Sequence, residues 1–370
     1  MATPPLSGVR ILSLAEQYPG PYATMLLADL GADVVMVERP AGGDPSRRFP
    51  GLFASFNRNK RSVALDLKSD AGRDAFLRLV DGADVVLEGY RPGVMARLGI
   101  GAELLCARKP GLIFVSISSF GQSGPRAGVA GHDLSVQAAA GMIDVAPGAE
   151  ADFALPMLPL GDIASAMFAA LGVVSALFAR GRTGAGAQID VSMLDALASW
   201  MTPFLVPPAN GWPTRELPPP DPGYGVFATA CGRQITLSIA GEDAMWSQLC
   251  DLIGLSEYAA LREVERCARS KEIGPHVRAA VARCDYDTLY RELESRAIAF
   301  GPVVALDQVL ADPQLQSRAM AVGFASATGE HTFVRQPLLI DAMPSAIARG
   351  VPQLGQHNAE LLGPAPLAVV

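Results

Sequence analysis

The chain has 370 residues, 50% of them hydrophobic and 18% charged, with a formal net charge of -7. That length exceeds what one hydrophobic core usually carries, so two domains are expected, and the composition excludes a disordered or fibrous chain. The acidic balance gives no support for nucleic-acid binding, and any polyanionic ligand would need a local basic patch. Five scattered cysteines, Cys106, Cys231, Cys250, Cys267 and Cys284, form no C-x-x-C pair. Reduced thiols in a cytoplasmic protein are expected, with neither a disulfide frame nor a zinc site. The first eight residues lack the basic-then-apolar pattern of a signal peptide.

Val9 to Leu14 and Asp33 to Val37 are short apolar runs, and Tyr22 to Leu30 between them has helical spacing that stops at Gly31. Strand, helix, strand predicts a parallel βαβ unit. The pattern repeats, with strands predicted over Ser62 to Leu67, Asp84 to Leu87 and Leu112 to Ser119, and a helix over Ser69 to Val80. The expected fold is α/β and Rossmann-like, without the G-x-G-x-x-G fingerprint of dinucleotide binding after its first strand. Residues 207–224 hold seven prolines and read as a linker. Beyond it, Tyr224 to Ala230 and Gln234 to Ile239 predict a hairpin. Helical patterns follow over Asp243 to Leu255, Tyr258 to Ala268, Gly274 to Cys284 and Tyr286 to Arg296. A second hairpin turns near Thr328-Gly329-Glu330, and His357 to Leu362 predicts a terminal helix.

Two segments are basic. Asn57-Arg58-Asn59-Lys60-Arg61 is a tight cluster, and Arg91 and Arg97 stand with Tyr90 around a turn. Solvated surface is the ordinary fate of such residues. Both segments are expected at strand ends or loops along one edge of the sheet, where α/β folds place ligands, so a basic rim suited to phosphates is expected.

From Ile163 to Ala179 no residue is charged and nearly every side chain is small or aliphatic. This predicts a helix buried over most of its surface. It is short for a membrane span, rich in alanine, and preceded by two prolines and an aspartate, so a core helix is expected. Asp162 stands at its mouth. Either its carboxylate caps the helix, accepting the first free N–H groups, or it is reactive, held at the positive end of the helix dipole in a partly dry cleft.

Taken together, Gly20-Pro21, Leu27 to Val34, Val37 to Pro40, Asn57 to Ser62, Leu65 to Lys68, Arg91-Pro92-Gly93, Gly121 to Pro125, Gly161-Asp162 and Asp190 to Asp195 form a long ordered set. The set resembles the class III CoA-transferases, or CaiB/BaiF family, which includes formyl-CoA transferase and α-methylacyl-CoA racemase. The resemblance covers almost the whole chain. It implies an interlocked homodimer of ring-shaped subunits. Each would have a large Rossmann-like domain (1–206), the Pro-rich linker (207–224), a small α+β domain (225–325) and a C-terminal segment returning to the large domain (326–370). It also implies coenzyme A or an acyl-CoA as substrate, with no metal. The contacts carried over are Arg39, Leu65, Lys68, Tyr90, Arg97 and Leu98, with the two arginines facing phosphates. Gly89-Tyr90 stands where transferases often have Asn-Phe.

In transferases the residue matching Asp162 attacks the thioester. An acyl-aspartyl anhydride is as reactive as a thioester, so CoA and the acyl group can be exchanged at little net cost. A nearby backbone N–H or helix N-terminus would steady the oxyanion. The racemase branch instead uses a histidine and an aspartate on opposite faces of the α-carbon, with a glutamate near the histidine. His132 and Glu242 stand at the corresponding places. Because Val136 to Gly141 is transferase-like, CoA transfer to a carboxylic acid is the preferred reading. Racemisation of an α-methylacyl-CoA by His132 and Asp162 is the alternative, and a non-catalytic CoA-binding dimer is a third. His276, His331 and His357 show no metal-ligand spacing and read as surface residues. The expected partners are a second copy of the chain and small acyl-CoA and acid substrates, with no nucleic acid and no membrane.

Overall fold

Short blocks of valine, isoleucine and leucine supply the strands of the large sheet. In a computed structural model describing residues 3–143, 157–212, 221–326, 329–341 and 347–363, they form β1 (Arg10–Ser13), β2 (Asp33–Glu38), β3 (Lys60–Ala64), β4 (Val85–Glu88), β5 (Ile113–Ser118) and β6 (Ala187–Ser192). All pair in parallel, in the order β3-β2-β1-β4-β5-β6. Alternate side chains enter two cores: Ile11, Val34, Val85 and Ile113 lie in one, Leu12, Val35, Val86 and Phe114 in the other. Burial on both faces is why these strands read as continuous apolar blocks.

The helices of this part are α1 (Pro19–Asp29), α2 (Pro50–Asn57), α3 (Asp70–Asp81), α4 (Val94–Arg97), α5 (Ala102–Arg108), α6 (Asp133–Ala139), α7 (Leu160–Thr183), α8 (Met193–Trp200) and α9 (Thr202–Ala209). Ala23 and Leu27 of α1 and Ala166, Ala169 and Val173 of α7 cover one face of the sheet; Phe76 and Leu79 of α3 and Leu105 of α5 cover the other. Gly20 is required by close approach, since a Cβ there would stand 2.0 Å from that of Ala15.

Three expectations need correction. Helix α7 is not buried over most of its surface: 28% of its apolar window is buried, and Met167, Leu171, Val174 and Phe178 form an exposed stripe one turn apart. By length and composition alone this helix could cross a membrane, although its inner face packs on the sheet. The Pro-rich segment is not wholly irregular, because α9 runs through Pro207 and Pro208; residues 213–220 lie outside the described residues. Strand β6 and helix α2 were not expected as elements, and β3 begins two residues early.

By internal contacts the chain divides into Met1–Val206 with Gln314–Val370, and Pro207–Pro313. The second unit holds the antiparallel strands β7 (Tyr224–Ala228), β8 (Gln234–Ser238) and β9 (Phe300–Pro302). Helices α10 (Asp243–Ile253), α11 (Glu263–Ala268), α12 (Ser270–Val281) and α13 (Tyr286–Ser295) share with them a core around Trp246, Ile273 and Leu293. The pattern expected as one helix over Tyr258 to Ala268 resolves into a 3-10 turn and the shorter α11.

Helix α14 (Pro313–Ser317) and the hairpin β10 (Ala321–Ser326) and β11 (Gly329–Val334) follow, then α15 (Asn358–Leu362). The last described stretch lies along the outer edge of β3. Asn59 Oδ1 accepts from the N–H groups of Ala348 (2.8 Å) and Arg349 (3.0 Å). Ser62 N–H donates to His357 Nδ1 (3.2 Å), and Ala64 N–H donates to Asn358 Oδ1 (2.8 Å). His357 is therefore a half-buried structural contact, not a free surface residue.

Candidate active site

Strand order reverses between β1 and β4, so the loops leaving their C-terminal ends diverge and open a crevice. Glu16, Gln17 and Tyr18 leave β1 there. Gln17 has φ +67°, a region that non-glycine residues enter at a cost, and the Asp44 carboxylate holds its N–H at 3.1 and 3.2 Å. Arg39 follows β2, exposed, with Nε donating to the Gly43 carbonyl at 2.8 Å. Leu65 (buried) and Lys68 (exposed) follow β3. Tyr90 follows β4, its N–H donating to Glu88 Oε2 at 2.7 Å. Arg97 ends α4, exposed, beside half-buried Leu98. The structure thus gathers all six residues expected to contact CoA on loops and a short helix at the C-terminal edge.

Electrostatics connect this edge. Burial pushes the Glu16 carboxyl up, and nearby Arg39 opposes the shift. Burial, then Glu16 and Glu88, pushes the Tyr90 phenol up to about 12. Glu88 itself is raised to about 7 by burial, against hydrogen bonds from Ser116 and Tyr90.

Asp162 is the third residue of α7, half-buried, and it does not cap the helix: Pro159 is at the cap position. Asp133, the first residue of α6, fills that role from outside. Its Oδ1 accepts from the N–H groups of Gly161 (2.7 Å) and Asp162 (3.2 Å). The Ile163 N–H is bonded to the Pro159 carbonyl at 3.0 Å. The N–H groups of Gly161, Asp162 and Ile163 are therefore already engaged. Burial first, and the Asp133 charge second, push the Asp162 carboxyl up to about 7. The Tyr18 phenol, raised by burial, feels both aspartates, and its ring stands edge-on to Phe56 at 4.6 Å.

His132 immediately precedes Asp133 and is exposed at the cap position of α6. Glu242 belongs to the second unit, where it is exposed at the cap position of α10. Its carboxylate accepts from the Ala240 N–H at 2.7 Å, and that bond is the main cause of its lowered pKa. In this unit it ties back to the turn before α10 and makes no side-chain bond to the first N–H groups of that helix. The expected rim at Asn57 to Arg61 is a correction. Lys60 opens β3, so this cluster lies at the N-terminal end of the strand, away from the ligand edge. Asp133, Tyr18 and Glu88 were not singled out from the sequence. An aspartate opening a helix was the available signal for Asp133, but nothing local indicates that it serves a different helix.

Residues 6–358 match the family described as CoA-transferase family III. The chain belongs to that family. It is 32% identical to succinate–glutarate CoA-transferase of Agrobacterium fabrum, covering 97% of this chain and 95% of the relative. It is 35% identical to succinyl-CoA:mesaconate CoA-transferase of Haloarcula hispanica, over 96% and 95%. Among solved structures, Rv3272 of Mycobacterium tuberculosis superposes with a TM-score of 0.85 at 30% identity, covering 98% of this chain and 100% of that one. A CaiB/BaiF family protein from Brucella suis gives 0.84 at 28% identity, over 97% and 99%. The mixed α/β fold with a six-stranded parallel sheet is thus that of family III.

Proposed function

We propose that this family III member transfers CoA between an acyl-CoA thioester and a carboxylic acid, with Asp162 as the nucleophile. The observation that carries this is a half-buried carboxyl at a helix start with no cation or side-chain donor acting on it among the described residues. One Asp162 oxygen attacks the thioester carbon; a C–O bond forms, the C–S bond breaks, and the electron pair leaves with the CoA thiolate. The thiolate then attacks the aspartyl carbonyl of the anhydride and releases the first acid. The acceptor acid enters by the reverse sequence, which regenerates the Asp162 carboxylate.

Arg39 and Arg97 would meet the phosphates, with Lys68 nearby, while Leu65, Tyr90 and Leu98 flank the rest of CoA. The substrates named for the two transferase relatives support a carboxylic acid as acceptor. The working assembly is a cytoplasmic, interlocked homodimer, and the exposed apolar stripe on α7 supports a face covered by a second copy. One observation favours the racemase alternative: His132 adjoins the aspartate that binds the Asp162 N–H.

The test incubates the protein with an (S)-2-methylacyl-CoA in deuterated water, with and without succinate. Transfer predicts CoA exchange that Asp162→Ala abolishes and His132→Ala leaves in part, with an intermediate trapped by hydroxylamine. Deuterium at the α-carbon without acceptor, and no trappable intermediate, would replace transfer by racemisation. In that case His132→Ala and Asp162→Ala should each lose about as much as both together. No turnover over a broad thioester panel leaves a CoA-binding dimer.

A further inference from the structure

The first N–H groups of a helix carry positive partial charge, and a carboxylate beside them is ordinarily stabilised and made less basic. At the start of α7 that capacity is spent on another residue. Asp133 Oδ1 takes the Gly161 and Asp162 N–H groups. Its Oδ2 accepts from Nε2 of Gln137, one turn along α6, at 2.5 Å. Gln137 is 2% exposed and also reaches the Leu158 carbonyl at 3.4 Å. Gly161 leaves room for this approach, since a Cβ there would lie 3.1 Å from Asp133 Oδ1 and 3.4 Å from Met193 Cε. The local fold holds one carboxylate against the N–H groups next to another.

We infer that Asp133 is the positioning residue that sets the reactivity of Asp162, by occupying the N–H groups of its helix and placing a second negative charge beside it. The inference rests on Asp162 being the nucleophile. Two consequences follow. A carboxylate denied its helix dipole and set beside a like charge is more basic, and so a stronger nucleophile. Acylation then converts Asp162 from an anion into a neutral anhydride, so repulsion from Asp133 is relieved in the covalent state while the charge departs on the thiolate. Among the described residues, the other titratable groups on the elements packed here are the Tyr18 and Tyr22 phenols at α1, exposed His132 beside Asp133, and exposed Asp195 on α8, which packs on α7. Among the described residues no lysine or arginine acts on Asp162.

Asp133→Asn keeps an N–H acceptor of the same shape without the charge, and Asp133→Glu keeps the charge. Asp162 is titrated directly in the full-length protein, without substrate, from infrared carboxylate difference spectra against Asp162→Asn. The pH profile of exchange between an acyl-CoA and a labelled acid is recorded alongside. The native midpoint near 7 should fall by about one pH unit in Asp133→Asn and stay within a few tenths in Asp133→Glu. The acid limb of kcat/KM should move with it, and the plateau should drop severalfold. An unchanged Asp162 midpoint in folded Asp133→Asn overturns the inference whatever the activity. If that variant does not fold, Asp133→Ser answers instead: its hydroxyl accepts an N–H without carrying a charge, so the Asp162 midpoint should again fall by about one pH unit, and an unchanged midpoint overturns the inference. A native protein with the predicted titration but no exchange would sink the transfer reading and leave the positioning role standing.

Discussion

The two ends of the parallel sheet carry the same basic residue types and treat them in opposite ways. At the N-terminal end Arg58, Lys60 and Arg61 are 1%, 1% and 5% exposed. Arg58 pairs with Asp29 at 2.6 Å, and Arg61 with Asp33 and Glu360. Lys60 donates to the Pro21 carbonyl and to Asn57 Oδ1, each at 2.8 Å, while burial pulls its pKa well below the usual lysine value. At the C-terminal end Arg39, Lys68 and Arg97 are exposed and make no ion pair among the described residues. A buried, paired cation has its charge committed to the scaffold, whereas an exposed one without an ion pair keeps its charge for a ligand. Basic composition therefore says little about ligands until the strand end it occupies is known.

The largest expected effect lies at the N-terminal end. Arg58→Ala leaves Asp29, whose side chain is 8% exposed, without its cation and with the Asn59 amide donor at 2.9 Å, and should cost about 3 kcal/mol in urea unfolding. A loss below about 1 kcal/mol would make this end an ordinary surface and erase the contrast. Next comes Glu88, a buried acid at the opposite end. Its folded carboxyl sits at about 7 against an ordinary 4.5. The folded state binds the proton more tightly, so its contribution to stability is full below pH 4.5 and is lost as pH rises through 7. Glu88→Gln should leave stability at about pH 4 unchanged and raise it at about pH 8 by on the order of 1–3 kcal/mol. Equal effects at both pH values would mean that packing, not charge, explains the change. The smallest effect belongs to Arg97. Arg97→Ala should shift stability by no more than about 0.5 kcal/mol, yet weaken CoA binding about fivefold to tenfold and flatten its salt dependence. Unaltered binding measured by calorimetry would remove Arg97 from the ligand edge.

What was legible in the sequence follows the range of the interactions. β1, β2, β4 and β5 lie within a residue or so of where their apolar runs place them, because two-sided burial writes a continuous pattern into the chain. Strand β6 was missed because its Gln188 and Asp190 break that pattern. Asp162 was visible as a carboxyl at a helix mouth, but its partner was not: the Asp133 bond spans 28 residues to Gly161 and uses one helix to cap another. The five residues from Asn57 to Arg61 look identical as a string whether they lie at a ligand edge or inside a scaffold. Only the register of β3 against β2 separates those cases.

The covering of β3 has a consequence for how the chain is made. Its outer edge is closed by residues that are synthesised long after it: Asn59 waits for Ala348 across 289 positions, and Ala64 for Asn358 across 294. At about 5–20 residues per second, that is a delay on the order of 15–60 s. The second unit lies wholly between these segments and is fully synthesised before the first can close. Through that interval β3 is an uncovered edge strand, the kind of surface to which other chains add. A nascent chain stalled before Ala348 would offer that edge to its neighbours on the polysome, so the stretch from Ala348 to Asn358 protects the sheet once it is made.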